Sequence, residues 1–185
     1  MEKSGGNNTT FGFNEKFDLK HVVDWVEDRQ GTDLIIGTHG ESLGAATCLQ
    51  HVAMDDRIEF VVEDCGYAHL MDLFHFRMRA DYKLPGLIFL PLGSVFIRLL
   101  AGFWPQAIKP EEMISTVETP IFFIHGADDS YIPPEHAKRL YAAKKNGFRK
   151  LWLAPNAEHA LSQPENPREY DQKIGEFLEE THIIT

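Results

Sequence analysis

Cysteine is scarce in this chain of 185 residues, which holds only Cys48 and Cys65. Two thiols make no disulfide framework, and both fall in apolar segments, so they read as reduced core residues of a cytoplasmic protein. Long apolar runs are missing too. The most hydrophobic stretch begins at Leu84 and is broken by Pro85, Pro91 and Arg98. A bilayer span needs about 20 apolar residues, so no integral membrane span is expected. Positive charge is in deficit, with 18 Lys and Arg against 28 Asp and Glu and a formal charge of −10. That balance speaks against nucleic acid, and against anionic membrane surfaces, as partners. The amino end is polar and glycine-rich, with no visible secretory signal. Repeats and low-complexity segments are absent. What remains is the composition of a soluble globule, 43% hydrophobic and 25% charged, long enough for one domain with a real core.

Periodicity divides the chain into alternating strands and helices. Residues 1–14 read as loop. Residues 17–28 read as a helix with Leu19, Val22, Val23 and Val26 on its inner face and Gly31 as a stop. Residues 33–38 form an apolar run that suggests a strand covered on both faces, as in parallel sheets. A helix over 43–54, a strand over 57–65, a strand over 120–126, a helix over 135–145, a strand over 149–153 and a helix over 168–180 complete the pattern. The last helix turns Tyr170, Ile174, Phe177 and Leu178 inward. This alternation predicts an α/β fold with a mostly parallel sheet of about four strands. Residues 66–110 interrupt it as an insertion of short apolar helices folded over a site.

Chemistry concentrates where strands end. Gly40-x-Ser42-x-Gly44 follows the first strand and has the spelling of a nucleophile elbow, a sharp strand-to-helix turn that lifts a serine hydroxyl clear of the sheet. Glycine on either side lets strand and helix approach closely. The five-residue pattern alone is weak. Its context is stronger, because Asp129 and His159 each fall just past a later predicted strand. An imidazole is needed to take the serine proton, and a carboxylate to fix that imidazole's tautomer. Asp128 is a rival for the acid, with one of the two aspartates capping the turn. Among nine histidines, His39 flanks the elbow, His125 ends a strand and most others read as solvated surface.

The chain resembles the α/β-hydrolase family, in particular its bacterial serine aminopeptidase and acyl hydrolase branch. The matching stretches are Ile36-Gly-Thr-His-Gly-Glu-Ser-Leu-Gly-Ala-Ala-Thr, Val62-Glu-Asp-Cys-Gly-Tyr, Thr119-Pro-Ile-Phe-Phe-Ile-His-Gly-Ala-Asp-Asp-Ser-Tyr-Ile-Pro and Ala157-Glu-His-Ala. The resemblance implies a single domain over residues 1–185, with 66–110 as the family's cap. It implies Ser42 as nucleophile, Asp129 rather than Asp128 as the acid, His159 as the base, and the Leu43 N–H as an oxyanion donor. The reaction implied is hydrolysis of a small-molecule acyl substrate, a carboxylic ester before a peptide or thioester, through an acyl-enzyme and with no metal or cofactor.

The family's sheet normally has eight strands, and this chain supplies only the second half of it. Ser4 and Gly6 fit the tail of the loop that precedes the helix before the elbow, while Glu2 stands where glycine is expected. Two consequences are expected. The family's second oxyanion donor comes from an earlier loop, so turnover is expected to fall by about 10²–10³. The strand at Leu34, Ile35 and Ile36 becomes a sheet edge, which invites self-association or pairing with a separate chain. The contrary expectation is a truncated, impaired chain that serves as a non-catalytic binding or assembly module.

Overall fold

Four short segments are strands: β1 (Ile36–Glu41), β2 (Ile58–Asp64), β3 (Ile121–Gly126) and β4 (Arg149–Ala154). In the computed structural model, which describes residues 8–184, they pair as one parallel sheet in the order β1-β2-β3-β4. The expected Ser4 and Gly6 match lies outside the described residues. Parallel neighbours need crossovers, and helices supply them. These are α2 (Leu43–Val52) between β1 and β2, α3 (Leu70–Tyr82), α4 (Gly86–Ala101) and α5 (Pro110–Met113) between β2 and β3, and α6 (Glu135–Ala143) between β3 and β4. Helix α1 (Glu15–Gln30) precedes β1, while α7 (Ser162–Glu165) and α8 (Pro167–Glu180) follow β4.

The central strands bury both faces. One face of the sheet, through Val61, Ile121 and Phe123, packs on Val23 of α1, Leu49 of α2 and Leu140 of α6. The other, through Val62, Phe122 and Ile124, packs on Tyr170 and Phe177 of α8. A third cluster, including Tyr67, Leu70, Leu73, Phe103 and Ile132, seats the segment 66–110 on Ala46 of α2. The α/β fold therefore stands as expected from the sequence, while the helices α3 and α4 of the segment 66–110, with 13 and 16 residues, are longer than the short helices expected there.

Several local expectations need correction. The first strand is not 33–38. It starts at Ile36 and runs to Glu41, because the ladder pairs Gly37 with Phe60 and continues to Glu41 with Asp64. Leu34 and Ile35 stay outside it and exposed. Nor is β1 covered on both faces: it alternates, with Thr38 buried between exposed Gly37 and His39, as an edge strand does. On α1 only Val23 is buried, and Val22 faces solvent. The histidines are less superficial than expected, since His51 and His136 are both buried.

Candidate active site

Ser42 sits between β1 and α2 with φ 55 and ψ −114, a conformation L residues rarely adopt. Such a residue costs on the order of 1–3 kcal/mol and persists only where its surroundings fix it. Its N–H donates to the Asp64 carbonyl at 2.8 Å, which ties the turn to β2. A Cβ on Gly40 would stand 2.4 Å from the Gly44 carbonyl carbon and oxygen, so glycine is required there. Gly44 differs from expectation, because a Cβ on it would meet open space. It is the bare backbone at 44, approached by Gly40, that makes the turn tight.

The sheet brings the three predicted residues together. Ser42 Oγ lies 2.9 Å from His159 Nε2, and His159 Nδ1 lies 2.8 Å from Asp129 Oδ2. With the proton on Nδ1, that nitrogen donates to the carboxylate and Nε2 accepts the serine hydroxyl. Gly126 makes the approach possible, since a Cβ there would be 2.4 Å from the Ala157 carbonyl oxygen in the His159 loop. Asp128 takes no part; it is exposed, and its N–H donates to Ala157 O.

Asp129 is held on both oxygens. Oδ1 accepts the N–H groups of Tyr131 and Ile132, each at 2.8 Å. Oδ2 accepts from His159 and also lies 3.2 Å from His125 Nε2. Burial alone would raise this carboxyl's pKa. The hydrogen bonds from His125, His159 and Ile132 outweigh it and hold the group well below the usual carboxylate range. The carboxylate form is therefore the favoured one at neutral pH.

His125 reads in the sequence as a lone histidine at a strand end, a place where histidines are usually structural. It is fully buried, donates Nε2–H to the Ile132 carbonyl at 2.8 Å, and leaves Nδ1 unpartnered among the described residues. Glu63 lies on the neighbouring strand β2. Its Oε1 accepts the Gly66 N–H at 2.5 Å and its Oε2 is buried without a partner among the described residues. Burial pushes Glu63 up to about 8, against the opposing pull of His125. The sequence signal for the His125–Asp129 contact is the spacing His125-x-x-x-Asp129, and nothing in the sequence links His125 to Glu63.

The segment 66–110 reaches the acid loop through a stack, through a hydrogen bond from Arg77 to the Ser130 carbonyl at 3.3 Å and through the packing of Ile132. The Tyr131 ring lies 4.9 Å from the His159 ring, and the Arg77 guanidinium of α3 lies 4.1 Å from the centre of Tyr131. Beside them, donor atoms of Cys65, Asp129 and His159 fall within 4.8 Å of one another. These suit a metal poorly. Asp129 and His159 already bind each other, and burial raises the Cys65 thiol far above its ordinary value, leaving it protonated.

Comparison with known proteins agrees with this fold. The Pyrococcus furiosus esterase Pf2001 superposes with a TM-score of 0.75 at 27% identity, over 96% of this chain and 66% of its own. The chain has the α/β-hydrolase fold. Est1E from Butyrivibrio proteoclasticus shares the fold at TM-score 0.70 and 18% identity, over 94% of this chain and 72% of its own. In sequence the chain is 38% identical over 185 residues to the uncharacterised protein YqkD of Bacillus subtilis. That match covers 99% of this chain but 60% of the relative, so the chain spans less than two thirds of the relative's length. No protein-family model matches.

Proposed function

We propose that this α/β hydrolase is a serine hydrolase of carboxylic esters. Ser42 is the nucleophile, His159 its general base and then the acid that protonates the leaving group, and Asp129 the carboxylate that orients His159. The Leu43 N–H, at the amino end of α2, is the oxyanion donor. The observation that carries this reading is the unbroken chain from Ser42 through His159 to Asp129, at 2.9 and 2.8 Å. Ser42 Oγ attacks the acyl carbon, the alcohol leaves with the proton from His159, and water, deprotonated by His159, releases the acid. No step calls for a metal or cofactor.

The cap over residues 66–110, rich in Leu, Phe and Ile, favours acyl chains over peptides. Two free, buried cysteines suit a reducing cytoplasm. The test is a p-nitrophenyl ester series with rapid mixing. A burst of one p-nitrophenolate per chain that vanishes in Ser42→Ala is expected from an acyl-enzyme; hydrolysis that persists in Ser42→Ala would overturn it.

The edge position of β1 favours a second reading, a binding or assembly module. Its outer edge, unpaired among the described residues and with exposed Ile35 beside it, offers a template for another strand. Self-association through Leu34, Ile35 and Ile36 would appear as a concentration-dependent mass in light scattering, and Ile35→Lys would abolish it.

A further inference from the structure

Helix α4 is built inside out. The stripe it turns toward the protein is mostly small, with Gly86, Leu90 and Ser94 buried and Ala101 half-buried. Its outward face carries Leu87, Ile88, Leu92, Phe96, Leu99 and Leu100, with Leu87 81% and Leu100 78% exposed. Ordinary surface helices put the bulk inside and the polar residues out. Here the outward face is continuous apolar surface along 16 residues, about 24 Å of helix. A contiguous apolar face on this scale marks an interaction surface.

Charge says what covers it. Residues 82–110 contain no Asp or Glu, in a chain with 28 of them. Around α4 stand Arg79, Lys83 and Arg98, all exposed. The cap's other cations, Arg77 and Lys109, are paired with Asp81 and Glu112. Arg79, Lys83 and Arg98 have no carboxylate partner among the described residues, and the last two reach only backbone carbonyls. The formal charge of −10 is thus an average that hides a cationic, apolar island. No single described helix is long and apolar enough to cross a membrane, and α3 and α4 are bent against each other by 117°.

We propose that α4 lies in the plane of an anionic lipid bilayer, its outward leucines and Phe96 among the acyl chains and its three free cations at the headgroups. A second copy of the chain fits worse, because two such faces meeting about a two-fold axis bring like, unpaired charges together. The proposal holds whether or not Ser42 is a nucleophile.

The experiment is co-sedimentation of the full chain with vesicles of phosphatidylcholine alone and of an equal mixture with phosphatidylglycerol. Partition onto the mixed vesicles is expected, weakening as salt is raised. Lys83→Glu and Arg98→Glu should each lower it at least about five-fold. Leu87→Ser combined with Leu99→Ser should lower it about tenfold or more, with an unchanged circular dichroism spectrum, because both side chains already face water. No partition onto either vesicle would overturn the proposal, as would equal partition onto both. A dimer in light scattering that the double leucine variant splits, without vesicle binding, would make a second copy the occupant.

Discussion

The acid loop after β3 and the helix α4 treat their side chains in opposite ways. Asp129 is a single carboxylate held by four donors, two of them backbone N–H groups from the next turn of chain and two of them imidazoles. Helix α4 presents most of its largest apolar side chains outward and is seated by Leu90, Ser94 and Ile97, with a hydrogen bond from the Gln106 amide to Ser94 and the Ser94 hydroxyl 4.0 Å from Met71 Sδ. The first arrangement removes freedom from one group at the cost of burying polar atoms. The second leaves apolar area uncovered. Proton transfer, as proposed at the first, needs fixed geometry, and a lipid surface, as proposed at the second, needs area. The Arg77–Tyr131–His159 stack joins the acid loop to α3, next to α4 in the chain.

Changes at the acid end should be the most damaging. Asp129→Asn, which leaves the hydrogen-bond shape but not the charge, should slow reaction of Ser42 with a fluorophosphonate by about 10⁴. A loss of only a few-fold would mean that His159 is oriented by something else. His125→Leu should come next. It removes one donor from Oδ2 and leaves the Ile132 carbonyl buried without its partner, lowering stability by about 1–3 kcal/mol in a urea titration. Unchanged stability would demote His125 to a bystander.

Glu63→Gln sharpens the comparison from behind the site. The folded protein holds this proton to about pH 8, against an ordinary value of 4.5. A carboxyl that binds its proton more tightly when folded contributes stability below pH 4.5 and loses it as pH rises to 8. Glu63→Gln keeps the acceptor for the Gly66 N–H and has no proton to lose. Its thermal midpoint should therefore fall less than the wild type's between pH 5 and 8, by the equivalent of a few kcal/mol. Parallel pH curves would show that Glu63 is ionised in the fold. The smallest effect is expected at the other region. Leu87→Ser should change stability by no more than about 0.5 kcal/mol and leave fluorophosphonate labelling unchanged, since that side chain already stands in water.

The α/β fold and the three residues brought together at the strand ends were legible in the sequence for separate reasons. Ser42, Asp129 and His159 each follow a recognisable strand, and the glycines at 40 and 126 mark where backbones must touch. The bounds of β1 were not legible. Apolarity points to Leu34 and Ile35, whereas the ladder with β2 is set by hydrogen-bond register and extends through Gly37, His39 and Gly40. His125 was hidden because its role depends on a neighbour four residues on that curls back only when the turn forms. On α4, periodicity could not tell inside from outside, since both faces are apolar. The small residues Gly86, Ser94 and Ala101 carried the orientation, and a reading based on hydrophobicity weighs them least.

The most direct test of the assembled Ser42–His159–Asp129 chain is intact-mass labelling of this protein with a fluorophosphonate, beside Ser42→Ala. One adduct on the wild type and none on the variant is the expected result. A chain that circular dichroism shows to be folded, yet takes no adduct, would contradict it and leave the family's fold here without its chemistry.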